Sequence, residues 1–186
     1  MSSTKSKENL VWIDMEMSGL DPDTDVILEI ATIVTDKDLN ILSEGPVFTI
    51  RQKPELFDQM DEWNRTHHSE SGLWDKVVSS TIGLEQAEQE TLDFIKKYTE
   101  PKVSPLCGNS IAQDRLFISK YMPLINNHLH YRMVDVSTIK ELTNRWYPGK
   151  LKAPDKKNLH RALDDIRESI DELKFYRSSV FKEEIT

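Results

Sequence analysis

Asp14 and Glu16 stand two residues apart in the segment 9–17, which reads as a β-strand. Side chains at i and i+2 leave a strand on one face, so the two carboxylates point the same way, alongside Leu10 and Trp12. Anions held that close repel each other unless a cation lies between them. Hard divalent cations such as Mg²⁺ and Mn²⁺ take oxygen ligands of this kind. A frayed strand end wetted by solvent would account for the pair equally well.

Asp114 is a third carboxylate in an unusual place. On a helix running from Ile111, the residues Ile111, Phe117, Ile118, Tyr121 and Met122 share one stripe. Ile125 extends it if the helix survives Pro123, which kinks or ends helices. At about 100° per residue Asp114 falls in the middle of that stripe. A bare buried carboxylate is prohibitively costly, so Asp114 must pair with a base or ligate a metal. His160 and Asp165 open the last helix, whose core face is marked by Leu163, Ile166, Ile170 and Leu173. Asp165 lies on the flank of that face, and periodicity separates it only slightly from Asp164. A histidine at a helix start is ordinarily a surface or capping residue, although its pKa near neutrality also suits it to proton transfer. Four carboxylates and one imidazole suffice to hydrolyse a phosphodiester. Two divalent ions about 3.5–4 Å apart stabilise the attacking and leaving oxygens of an in-line displacement, and the imidazole takes the proton of the attacking water.

These residues must be brought together by the elements that carry them. After the first strand comes a turn, Ser18-Gly-Leu-Asp-Pro-Asp23, rich in turn formers. The near-continuous apolar run 26–35 reads as a second strand, joined through Asp36-Lys-Asp38 to a third at 41–50 in a hairpin. Residues 56–99 look mostly helical, with the last helix over about 84–98. Short strands are expected near 106–109 and 133–136, helices between and after them to Trp146, and a closing helix over about 161–178. Strands first, then alternating helices and strands, imply a single α/β domain over residues 9–186 built on a mixed sheet of five strands flanked by helices. Residues 1–8, polar and rich in Ser and Lys, read as a disordered tail.

Composition narrows the partners. A net charge of −8 argues against a protein that tracks along many phosphates, because such proteins carry a basic stripe. The only dense basic stretch, Lys150–Lys157, has the makings of a solvated loop. A nucleic-acid ligand, if there is one, is a short piece gripped at one site. No apolar run approaches the roughly 20 residues that a membrane-spanning helix needs. The single cysteine, Cys107, cannot form an internal disulfide and reads as a buried thiol in a reducing cytoplasm rather than a nucleophile.

The ordered set D-x-E (Asp14, Glu16), a mid-chain aspartate (Asp114) and H-x4-D (His160, Asp165) resembles the DEDDh exonucleases, whose fold is ribonuclease H-like. That spacing selects Asp165 over Asp164. Similarity is greater still to the oligoribonuclease branch, through W-I-D-M-E-M-S-G-L-D (12–21), M-D-E-W-N (60–64), S-G-L (71–73), C-G-N-S-I-A-Q-D-R (107–115), H-Y-R-M-V-D-V-S-T-I-K-E-L (130–142) and H-R-A-L-D-D-I-R-E-S (160–169). The resemblance implies a cytoplasmic homodimer. It would cut single-stranded RNA of two to five nucleotides, dinucleotides above all, to 5′-mononucleotides with two Mg²⁺ or Mn²⁺ ions. It implies Asp14, Glu16, Asp114 and Asp165 as metal ligands and His160 as general base.

Substrate-holding roles follow from the same resemblance. Leu20 would wedge between bases, Trp63 would stack on one, and His68 would contact the RNA, with His67 left at the surface. Ser110 would face the 5′ phosphate, although a capping box with Gln113 (S-x-x-Q) is a sufficient structural reason for it. Tyr131, Arg132, Ser137 and Thr138 would come from the partner subunit and close the site around the 5′ end. Ordinary core packing competes as an account of Leu20 and Trp63. Glu29, a carboxylate inside an apolar strand, lies outside the metal set and is expected only to be buried and hydrogen-bonded. Two other readings remain: a DEDDh exonuclease acting on longer RNA or DNA ends, and a catalytically silent nucleotide-binding module on the same fold.

Overall fold

Residues 5–154 and 161–181 are described by a computed structural model of the chain. The alternation in the first strand decides the architecture. In β1 (Leu10–Met17), Val11, Ile13 and Met15 face one layer of helices, while Trp12 faces the other. The run ILEIATIVT forms β2 (Ile27–Thr35), buried along its whole length, as a strand covered on both faces must be. It pairs antiparallel with β1 and with β3 (Ile41–Thr49), closing the expected hairpin. The short strands β4 (Leu106–Gly108) and β5 (Met133–Asp135) add in parallel on the other side. The mixed five-stranded sheet therefore has the order β3-β2-β1-β4-β5.

Residues 56–99 are helical in pieces: a 3₁₀ turn (Pro54–Gln59), α1 (Glu62–Glu70), α2 (Leu73–Ser79) and α3 (Leu84–Ile95). The last of these ends three residues before the expected limit at Tyr98. α4 (Ala112–Tyr121) and α5 (Pro123–His128) share the layer of α3, whereas α6 (Val136–Trp146) and the long α7 (Ala162–Val180) cover the other face of the sheet. Pro123 ends α4 instead of kinking it: Met122 leaves helical space at φ −130° and Pro123 begins α5, where its missing N–H costs nothing. The expected stripe survives the break, since Ile111, Phe117, Ile118, Met122 and Ile125 share one core with Val11, Ile13 and Met15. A second core, under α6 and α7, joins Trp12, Ala31 and Ile33 to Val136, Ile166 and Ile170.

At the start of the described chain, in the stretch expected to be a tail, Ser6 N–H donates to Tyr98 O and Lys5 pairs with Glu100. No helix among the described residues is long and apolar enough to cross a membrane. Cys107 is buried in β4, and burial pushes its thiol well above the usual range. A thiol so placed is inert, as expected.

Candidate active site

Because side chains alternate along β1, Asp14 and Glu16 emerge on the Trp12 face, the face covered by α7. The first turn of α7 passes over that end of β1 and delivers Asp165. Carboxyl oxygens of Asp14, Glu16 and Asp165 lie within 4.8 Å of one another. Asp164 is turned aside, with its Oδ1 2.6 Å from Arg167 Nη1, while Arg167 also grips Glu44. This ion pairing separates the two aspartates where periodicity could not.

Asp114 reaches the cluster from the opposite layer. It is buried on α4, and its Oδ1 accepts a hydrogen bond from Met15 N–H at 3.0 Å, between the two acids of β1. Asp114 stands outside the group of three whose oxygens share that 4.8 Å spacing, but its charge is felt at Glu16. Burial pushes Glu16 up to about 8, with Asp165, Glu29 and Asp114 adding repulsion in that order. Burial likewise raises Asp114 to about 7. Acids driven this far from their usual range hold their protons near neutrality unless a cation offsets them. An oxygen-only donor set at this spacing fits hard divalent cations.

His160 lies outside the described residues. Its neighbour Arg161 caps α7 at φ −127°, just ahead of the turn that carries Asp165.

Leu20 and Trp63 are 71 % and 65 % exposed. Neither is the core residue that its apolar character allows. Gln113 Nε2 donates to Leu20 O and ties the Leu20 turn to α4. Trp63 stacks on His67, ring centroids 4.5 Å apart and planes at 12°, so His67 supports an aromatic platform and is not a bystander at the surface. His68 is buried, with Nε2 2.8 Å from Met17 O, and pins α1 to the end of β1. Burial holds its imidazole below the usual histidine range.

The expected capping box does not form. Ser110 sits in the left-handed region at φ 51°, and α4 has no side-chain cap. Its N–H donates instead to Asp135 Oδ1 and Ser137 Oγ, both at 2.9 Å, and its hydroxyl lies 3.2 Å from that of Ser137. Asp135 also accepts from Ser137 N–H at 3.0 Å and from Thr138 Oγ1 at 3.1 Å. Ser110, Ser137 and Thr138 are thus gathered around Asp135 of the same chain, so Ser137 and Thr138, expected from a partner subunit, lie beside their own chain's Ser110; Asp135 itself is a residue the sequence did not single out. Its signal was present: an aspartate at a strand–helix junction, two positions ahead of Ser137, is an N-cap, here of α6. Tyr131 is 72 % exposed, and Arg132 lies over its ring at 5.6 Å with Nε 3.2 Å from the phenol oxygen.

Residues 11–173 match the family described as Exonuclease. The chain is 59 % identical over 179 residues to an oligoribonuclease of Aeromonas hydrophila, which covers 96 % of this chain and 99 % of that one. It is 53 % identical over 179 residues to the mitochondrial oligoribonuclease of Homo sapiens, covering 96 % of this chain and 76 % of that one. Among solved structures, a zinc-bound complex of E. coli exonuclease I with single-stranded DNA superposes with a TM-score of 0.71 at 13 % identity. That likeness covers 94 % of this chain and 41 % of the other, and bears on the fold alone.

Proposed function

This chain belongs to the oligoribonuclease family of exonucleases, and from that premise we propose how its residues carry out 3′→5′ exoribonuclease chemistry. The observation that carries the reading is the convergence of Asp14, Glu16 and Asp165 from two distant elements, with Asp114 backing them through Met15. These four residues would hold two divalent ions, Mg²⁺ or Mn²⁺. When bound, such ions neutralise the scissile phosphate and make its attacking water more acidic.

The remaining work belongs to side chains. His160 takes the proton of the water as its oxygen attacks phosphorus, and the bond from phosphorus to the 3′ oxygen of the preceding ribose breaks. The products are a 5′-mononucleotide and an RNA one residue shorter. Leu20 and Trp63 offer exposed apolar surface to two bases. His68 supports the RNA from its buried seat beside Met17. Ser110, Ser137 and Thr138, organised by Asp135, receive the 5′ phosphate. Tyr131 and Arg132 reach the site of the partner chain in a homodimer, where the guanidinium suits a bidentate grip on phosphate. The substrate is single-stranded RNA of two to five nucleotides, dinucleotides preferred. A net charge of −8 disfavours long nucleic acid and with it the alternative of trimming long ends. The single, buried cysteine is in keeping with a reducing cytoplasm.

Incubation of a 5′-phosphorylated RNA dinucleotide with the protein and Mn²⁺ tests this. Mononucleotides should appear, and a chelator should stop them. Tight binding without turnover would instead support the silent nucleotide-binding module.

A further inference from the structure

Glu29 is a buried acid beside the cluster that the chemistry above does not use. It stands directly across from Glu16 in the pairing of β1 with β2, and across from Thr49 in the pairing of β2 with β3. Opposed acidic side chains on neighbouring strands repel whenever both are ionised. Burying Glu29 at 6 % exposure makes that placement worse. Its Oε2 accepts from Thr49 Oγ1 at 3.1 Å, and its Oε1 has no hydrogen-bond partner among the described residues. A threonine or glutamine would serve Thr49 as well without facing Glu16. The Thr49 hydrogen bond therefore gives no reason for a carboxyl at this position.

Glu29 also lines a cavity of about 280 Å³ with Ser71, Leu73, Lys76, Arg161 and Leu163, between α2 and the start of α7. This volume is at the small end of the range for small-molecule pockets. Its place in the sheet order is informative. Ser110 and Ser137 follow β4 and β5, the acidic cluster is on β1, and this cavity lies beyond the cluster on the β2–β3 side. An RNA with its 5′ phosphate at Ser110 and its scissile phosphate at the cluster must place its last nucleoside on the Glu29 side.

We propose that Glu29 is a specificity-determining residue whose Oε1 accepts a hydrogen bond from the 2′-hydroxyl of the 3′-terminal ribose, so that this cavity selects RNA over DNA. The 2′-hydroxyl is the group that distinguishes the two polymers. A buried carboxyl is a suitable acceptor, as acids that bind ribose hydroxyls in dinucleotide sites illustrate. The inference rests on the exonuclease reading above.

The test compares kcat/KM for an RNA dinucleotide with kcat/KM for the same dinucleotide carrying 2′-deoxyribose only at its 3′ residue. The wild type should favour the ribose form by about ten- to a hundredfold, the range for one hydrogen bond to a charged group. In Glu29→Ala the ratio should fall to within about threefold of unity. Glu29→Gln, which keeps a neutral acceptor, should lie between. Thr49→Val, which removes the hydroxyl that orients the carboxyl, should lower the ratio even if Glu29→Ala does not fold. Equal ratios in wild type and variants would overturn the proposal, and so would a wild type indifferent to the 2′-hydroxyl. Loss on both substrates alike with a weakened Mn²⁺ dependence would assign Glu29 to the metal cluster instead. Failure of the wild type to cleave either dinucleotide would defeat the exonuclease reading itself.

Discussion

At Asp14, Glu16, Asp114 and Asp165 the fold holds acids where the metal-free protein gains least from them. Glu16 titrates from 4.5 in the unfolded reference to about 8 in the folded site, so the folded chain binds the extra proton across that window. The side binding more protons loses ground as pH rises, so folding stability should fall between those values. Melting of chelator-treated protein should therefore show Tm declining from about pH 5 to about pH 8. Added Mn²⁺ should raise Tm more at the upper end, where the carboxylates it meets are ionised. Glu16→Gln should flatten the metal-free slope, and an unchanged slope would contradict the assignment of that shift to Glu16. Asp14→Ala should abolish hydrolysis without unfolding the chain, since it relieves repulsion; substantial turnover in Mn²⁺ would count against its role as a ligand. His160→Ala should slow turnover by about 10²–10⁴-fold, the usual range for loss of a general base, and a pH–rate profile flat near neutrality in the wild type would contradict a histidine there.

Elements bring these residues together, and their legibility varied with the length of the signal. The first two strands and α3, α4 and α7 announced themselves through runs and stripes of eight or more residues. The i, i+2 rule placed Asp14 and Glu16 on one face from sequence alone, and helical periodicity placed Asp114 in the core. Periodicity could not choose between Asp164 and Asp165, because Arg167, which pairs with Asp164, is itself held by Glu44, 123 positions away in sequence. Nor could a local motif foresee that Ser110 would take a left-handed backbone and turn to Asp135, 25 residues away, instead of capping its own helix. Glu88 is a similar case: on the buried face of α3, it accepts from Leu124 N–H at 2.6 Å and Ile125 N–H at 3.3 Å, and so caps α5 from another element. Glu88→Ala should destabilise the fold by roughly 1–2 kcal/mol, leaving two helix N–H groups unsatisfied. Denaturant unfolding measures this, and a midpoint equal to wild type would show that the cap is dispensable.

For the whole molecule, net charge and the exposed residues near β5 set the expectations. A chain at −8 should prefer short substrates, so its rate on a dinucleotide should exceed that on a 20-residue RNA of the same 3′ sequence. Equal rates would favour an end-trimming enzyme. Tyr131, largely exposed and braced by Arg132, is suited to a site on a second chain. Mixing Asp14→Ala with Tyr131→Ala protein and allowing subunits to exchange should restore activity, because each mixed dimer regains one site with all its parts. No recovery after verified exchange would remove the trans role.

If acids from both layers of the fold gather to hold divalent ions, as proposed, removing one from either layer must weaken ion binding. Calorimetric titration of the full chain with Mn²⁺, alongside Asp165→Asn and Asp114→Asn, measures this most directly. Saturable binding to the wild type is expected, with marked weakening in both variants and helical content retained. Mn²⁺ binding unchanged in either variant would contradict it.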